Sequence, residues 1–164
     1  QPLNATNWLH NKIMNELKER IMEHEGFRDV AYNDTLGIAT IGYGHMILPQ
    51  DNIQIGNKYS KEFLTELFDK DFDIAVKGAN KLIKEKLPHL LMLGLTDAEL
   101  SKIEGVLIEM VFQMGRPRVS KFNKMFKAID EAEWNKAADE MLDSRWAEQT
   151  FERALNLSHI IRLL

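Results

Sequence analysis

The run Glu25-Gly26-Phe27-Arg28-Asp29-Val30-Ala31-Tyr32-Asn33-Asp34-Thr35-Leu36-Gly37-Ile38-Ala39-Thr40-Ile41-Gly42-Tyr43-Gly44-His45 reads as a helix end followed by a β-hairpin. Upstream, Leu9, Ile13, Leu17 and Ile21 recur every four residues, the spacing of one helix face. Thr6 or Asn7 suits the N-cap of that helix, and Gly26 suits its left-handed C-terminal stop. Val30 to Tyr32 and Ile38 to Tyr43 then predict two strands around a turn through Asn33-Asp34-Thr35-Leu36-Gly37.

Beyond the hairpin, Pro49 to Asn57 is rich in polar and turn residues and reads as loop. Ser60 caps a predicted helix to about Ile83, with Phe63, Leu67, Phe68, Phe72, Ala75, Val76 and Ala79 on its apolar face. Pro88 marks a break. Thr96-Asp97-Ala98-Glu99 has the form of a capping box opening an apolar helix through Leu100, Ile103, Leu107 and Met110. Further helices are predicted over Ser120–Ile129, Glu131–Leu142 and from Phe151 onward. The expected fold is α+β and mainly helical. It has a hairpin lobe at 15–59, a connecting helix at 60–83, a helical lobe at 84–164 and an N-terminal helical extension at 1–14. A groove between two such lobes is the expected ligand site.

At 164 residues the chain suffices for one well-buried domain or two small lobes. It has no cysteine, which excludes disulfides, a thiolate nucleophile and Cys-based metal sites. Its histidines other than His45 (His10, His24, His89 and His159) lack ligand spacing, so no metal or cofactor is expected. A formal charge of −4 argues against a nucleic-acid partner. No apolar stretch approaches the roughly 18 residues of a membrane span. The first residues, Gln1 to Trp8, do not resemble a secretory signal. The expected setting is a host-cell cytoplasm, without a signal peptide and with action only after release, and the expected state is a monomer.

Glu25, Asp34 and Thr40 carry the candidate chemistry. A carboxylate in the last turn of a helix faces the negative end of the macrodipole and is disfavoured as an anion, as a proton donor requires. Asp34 is a second carboxyl on a different rigid element, and two carboxyls held apart are what glycosidic hydrolysis needs. Each residue also has a plain structural reading. Glu25 is a surface glutamate, Asp34 a turn residue bonding its own backbone, and Thr40 a β-branched strand residue.

The pattern Glu-x8-Asp-x5-Thr followed by Ile41-Gly42-Tyr43-Gly44-His45 resembles the catalytic signature of the T-even type phage lysozymes, glycoside hydrolase family twenty-four. Met110-Val111-Phe112-Gln113-Met114-Gly115 and Ser144-Arg145-Trp146-Ala147-Glu148-Gln149-Thr150, with Arg153-Ala154, are similar to further blocks of that family in the same order. The resemblance runs from about Asn15 to Arg162 and implies the two-lobed lysozyme fold. It implies an endolysin-type muramidase that cuts the β-1,4 bond between N-acetylmuramic acid and N-acetylglucosamine in a peptidoglycan strand, with inversion and without a cofactor. Glu25 would be the general acid, with Asp34 and Thr40 positioning the water. The carboxyl separation expected for inversion is about 6.5–9.5 Å. Arg153 would pair with the catalytic glutamate. Met46, Phe112 and Gln113 would contact substrate. His45 and Asp71 would form a supporting ion pair. The alternatives are a lysozyme module of a tail spike or bacteriocin used mainly for wall binding, or a lytic transglycosylase, which adds no water.

The chain departs from the best-known relatives at several points. It is shorter between His45 and the long helix, stops before a final aromatic segment, and gains about fourteen residues at its start. Met125 and Glu140 stand where a serine and an asparagine contact substrate in the best-known member. Trp8, Trp134 and Trp146 are expected to anchor helix packing, with Trp8 lying where the final segment would be. Met110 and Met114 are expected to be core filler.

Overall fold

The structure, a computed structural model, describes the backbone of residues 5–164 and side chains from residue 8. It is α+β and mainly helical. The chain divides after Asp73 into two compact units, a cut that falls inside a long helix rather than at either end of it.

In the first unit, α1 spans Ala5–Glu25. It already includes Thr6 and Asn7, so neither stands ahead of it as the expected cap. Its apolar face is buried at Leu17 and Ile21, whereas Leu9 is exposed. Trp8, expected as a packing anchor, is 58% exposed, with the Lys12 ammonium 5.5 Å from its ring centre. The first turns of α1 bury no described residue before Leu17, so Trp8 has no core to enter. Gly26 closes the helix at φ +73°, its N–H donating to the Met22 carbonyl at 3.0 Å. That is the left-handed stop a residue without Cβ makes at little cost.

Three antiparallel strands follow in the order β1 (Arg28–Asn33), β2 (Ala39–Gly42) and β3 (His45–Met46). Tyr32 pairs with Thr40, and Thr40 with Met46. Between Arg28 and Tyr32 the register shifts, an irregularity of the bulge type. The third strand was not expected from sequence, because two residues carry no readable alternation. Strand alternation turns Ile41 to one face, into a core with Ala31, Leu64 and Leu67, and Thr40 to the other. The outer edge of β1 is covered by 54–59, where Tyr59 N–H donates to the Asp29 carbonyl at 2.9 Å. That blunts an otherwise unpaired edge.

The long helix α2 spans Lys61–Lys86, its first turn capped by Ser60, whose Oγ accepts from Phe63 N–H at 3.2 Å. It runs three residues beyond the expected end and stops before Pro88.

In the second unit, α3 (Asp97–Met114) is the central element, with Ile103, Val106, Leu107, Ile108, Met110 and Val111 buried. Its capping box is formed as expected: Thr96 Oγ1 accepts from Glu99 N–H, and Glu99 Oε1 accepts from Thr96 N–H, both at 3.1 Å. Around it lie α4 (Arg116–Val119), α5 (Asn123–Asp130), α6 (Trp134–Leu142), α7 (Arg145–Gln149) and α8 (Phe151–Arg162). The short α4 and α7 were not predicted, since a single turn has no period to read. Trp146 is buried as expected and Trp134 half-buried.

Candidate active site

Glu25 is the last residue of α1, and the left-handed Gly26 turns the chain immediately after it into β1. Its carboxyl lies directly against the β2–β3 turn: a Cβ placed on Gly44 would stand 2.5 Å from Glu25 Oε2. Gly44 also has φ +75°. Any side chain there would collide with the acid and strain the backbone. The Gly-Tyr-Gly turn therefore has a function beyond folding, since it makes room for Glu25 at the sheet. Beside it, the rings of Phe27 and Tyr43 are 4.9 Å apart, and Tyr43 meets Phe68 edge-on at 5.4 Å.

Asp34 sits at the other end of β2, in the hairpin turn. Its Oδ1 accepts two backbone N–H groups, from Leu36 at 2.9 Å and Ile38 at 2.8 Å. This is the turn-organising bond expected of an aspartate. Among the described residues its Oδ2 has no protein partner. Thr40 is nearly buried, and its hydroxyl donates to the Ile38 carbonyl at 2.8 Å. Ile38 thus ties the two side chains together, its N–H on Asp34 and its C=O on Thr40. With its proton committed to that carbonyl, the Thr40 oxygen is left as an acceptor. Met46, paired across the ladder from Thr40, is 56% exposed.

His45, also on β3, is buried between two carboxylates. Its Nδ1 lies 2.7 Å from Asp71 Oδ2 on α2, and its Nε2 lies 2.8 Å from Asp51 Oδ2. Both ring nitrogens can donate only in the imidazolium form. The bond to Asp71 raises the His45 pKa, burial opposes it, and the bond to Asp51 adds to the rise, for a value of about 9. Burial pushes the Asp51 carboxyl up. The bonds from His45 and from Leu48 N–H (2.7 Å) outweigh it, and the carboxyl is held below its ordinary value. Asp51 was not singled out in the sequence, where Pro49-Gln50-Asp51 looks like any loop.

The other candidate residues named from the sequence lie in the second unit. Phe112 and Gln113 are half-buried near the end of α3. Gln113 is held by its neighbours: its Oε1 accepts from Trp146 Nε1 at 2.7 Å, and its Nε2 lies 3.4 Å from Thr150 Oγ1. Arg153 on α8 is buried, with its Nε donating to Glu109 Oε2 at 2.8 Å. Glu109 is fully buried and was missed. The signal available was a charged residue flanked by Ile108 and Met110 on an apolar helix, which requires a buried cation. Met125 is buried in α5. Among the described residues no cluster of three His, Asp or Glu side chains could hold a metal ion.

Residues 22–157 match the phage lysozyme family. The chain is 31% identical over 88% of its length to the pre-baseplate central spike protein Gp5 of Enterobacteria phage T4, of which it spans 27%. It is 30% identical to two probable T4-type lysozymes of Dictyostelium discoideum, covering 91% and 87% of this chain and 95% and 91% of theirs. A further match, 32% identical, is the peptidoglycan hydrolase gp36 of Pseudomonas phage phiKMV, of which the chain spans 15%. An acid at a helix end, set against a hairpin that carries a second carboxyl and a hydroxyl, suits glycosidic bond cleavage. The chain belongs to the phage lysozyme family and is a glycoside hydrolase.

Proposed function

We propose that this protein hydrolyses the β-1,4 bond between N-acetylmuramic acid and N-acetylglucosamine in peptidoglycan, with inversion at the anomeric carbon. Glu25 gives its proton to the glycosidic oxygen as the bond from C1 to that oxygen breaks. A water held by Asp34 and Thr40 attacks C1 from the opposite face and passes a proton to Asp34. One water is consumed, and solvent exchange restores Glu25 as acid and Asp34 as base. The observation that carries the reading is the shared Ile38 peptide. It sets a free carboxylate oxygen and an acceptor hydroxyl two ladder positions before the turn that receives Glu25. Asp34 Oδ2 and Thr40 Oγ1 are the acceptors a water needs for its two hydrogens.

Met46, beside Thr40 and exposed, is assigned to sugar contact. Phe112 and Gln113 are assigned to substrate contact on α3, Gln113 held in place by Trp146. His45, Asp71 and Arg153 are supporting residues. The match to a central spike protein of which this chain spans 27% favours a second setting, in which the same catalysis serves as one module of a larger assembly.

The test is turnover of purified sacculi by wild type, Glu25→Gln and Asp34→Asn. Loss of activity by about 10²–10⁴-fold in each, with circular dichroism unchanged, is expected for an acid–base pair. Mass spectrometry should show fragments with reducing ends, one water heavier than anhydro sugars. Full activity of Glu25→Gln, or anhydro products, would exclude the mechanism.

A further inference from the structure

Arg28 opens β1, three residues after Glu25, and the mechanism above gives it no role. Its guanidinium carbon lies 4.2 Å from the centre of the Tyr32 ring. The side chain is exposed, and among the described residues it makes no ion pair and no side-chain hydrogen bond. Two lysines of the same unit do have carboxylates, Lys18 with Asp69 at 3.2 Å and Lys58 with Asp29 at 3.5 Å. Asp29 is the acid next to Arg28 in sequence, yet it pairs with Lys58.

The sheet register says where this cation stands. Tyr32 is directly across from Thr40, and Arg28 from Gly42. Opposed residues of an antiparallel pair project to the same side, as do residues two apart on one strand. Arg28, Tyr32 and Thr40 therefore share the face opposite the Ile41 core, and Met46 joins them across β2. The register shift sets residues 28 to 32 of β1 against only 42 to 40 of β2, which draws Arg28 and Tyr32 together. Gly42 is roughly 7 Å along the strand from Thr40. The cation thus stands within the span of one sugar from the hydroxyl assigned to the attacking water.

Stacking decides what the cation can do. A guanidinium lying on an aromatic face keeps its plane, while its N–H groups point outward from the edge. Held in this way it is a fork of donors with no acceptor, suited to an oxygen at its rim. The strongest acceptor on an N-acetylated sugar is the amide oxygen of the acetamido group. That group hangs from C2, beside the C1 that the water attacks.

We propose that Arg28, held flat by Tyr32, is a specificity residue that donates to the acetamido oxygen of the sugar whose C1 is attacked. The contact selects N-acetylated strands and, by anchoring C2, fixes the neighbouring C1 against the water on Thr40. The proposal rests on the hydrolase reading above and adds a residue which that reading does not use.

The test is co-sedimentation in the cold with native, N-deacetylated and re-N-acetylated sacculi. For wild type, deacetylation should weaken binding roughly tenfold or more, as for a hydrogen bond to a charged group, and re-acetylation should restore it. Arg28→Met should bind native sacculi roughly tenfold more weakly than wild type, and its preference for native over deacetylated sacculi should shrink by the same factor. Arg28→Lys keeps the charge without the fork or the stack, and should recover little of the loss. Tyr32→Phe should match wild type, because the ring holds the guanidinium, whereas Tyr32→Leu should lose most of the preference. Arg28 is exposed, so its variants should keep the wild-type melting temperature, which separates the contact from folding. Equal affinity of wild type and Arg28→Met for native sacculi would overturn the proposal. So would a loss in Arg28→Met that is the same on native and deacetylated sacculi, since Arg28 would then meet some other sugar group. Full recovery in Arg28→Lys would also overturn it, by leaving charge as the whole effect. Binding is read without turnover, so a failure of this contact stays distinguishable from a failure of hydrolysis.

Discussion

Removing His45 should produce a loss of stability that depends on pH, and its direction follows from the two carboxylates around it. In the folded protein its pKa is about 9, against 6.5 for an ordinary histidine. The folded state therefore holds a proton that the unfolded chain releases between those values. The stabilisation is fully present below about pH 6.5 and is lost as pH rises through 9. At about 1.4 kcal/mol per pH unit, the linked contribution is about 3 kcal/mol. For a chain of this length that is roughly 6–12 °C in melting temperature. Burial of the ring, with side chains only 9%, 13% and 28% exposed for His45, Asp51 and Asp71, keeps the effect insensitive to salt.

The groups that face the ring fix the controls. Asp71 comes from α2 and Asp51 from the turn after β3, with Lys70 close enough to lower the Asp51 carboxyl further. The assay is urea unfolding of wild type and His45→Asn at half-unit steps from pH 6 to pH 10. The stability gap should be widest near pH 6 and shrink by about 3 kcal/mol by pH 10. In Asp71→Asn, which removes the largest source of the shift, the loss should still begin near pH 6.5 but end at lower pH and be smaller. A gap that stays constant across the range would mean that the folded ring does not hold its proton above pH 6.5. The two-carboxylate account of this lobe would then be wrong.

Two further outcomes follow from single contacts. Gly44→Ala places a Cβ 2.5 Å from Glu25 Oε2 at φ +75°. It should cost about 1–2 kcal/mol in the backbone, measured by unfolding, and lower kcat on sacculi at least tenfold by displacing the acid. Unaltered kcat would show that Glu25 is not held by this turn. Trp146→Phe removes the donor to Gln113 Oε1. It should cost about 1–3 kcal/mol through the unsatisfied amide oxygen and raise KM more than it lowers kcat, read by unfolding and steady-state kinetics.

Much of the fold was legible because its boundaries use local chemistry. Ser60 and Thr96 are caps whose oxygens bond within three residues, and Gly26 is a stop whose φ is set by sterics at one position. Such signals survive without knowledge of the rest of the chain. The two-residue β3 and the single-turn α4 and α7 depend instead on contacts distant in sequence, and nothing periodic announces them. The expected cap at Thr6 or Asn7 failed for a related reason: Asn4, Thr6 and Asn7 all have cap chemistry within four positions, which leaves the start of a helix degenerate. In the candidate site, residues within the Glu25–His45 run could be named together because one short stretch of chain, a helix end and the hairpin after it, carries them. Asp51 could not be named, since its partner His45 lies in another element, whereas Glu109 left a signal as a lone charge in an apolar stretch of helix but its partner Arg153 is far along the chain. The Asp34–Ile38–Thr40 bonds were not foreseen either. They require the register of the hairpin, which its apolar pattern only approximates.

The two readings of Asp34, turn residue and catalytic base, do not compete once its oxygens are separated. Oδ1 is occupied by Leu36 and Ile38 N–H, which fixes the side-chain torsion by bonds internal to the hairpin. A carboxylate used this way cannot rotate to follow a substrate, so Oδ2 is presented in one direction. Thr40 is constrained in the same manner, its proton spent on the carbonyl of the residue whose N–H holds Asp34. A water bound to both would meet acceptors already oriented, with little reorganisation left for the transition state. This explains why a turn position hosts the second carboxyl. The bonds that fold the hairpin are those that aim its unused oxygen, so in the mechanism proposed above the structural role would be the means by which the chemical one is performed.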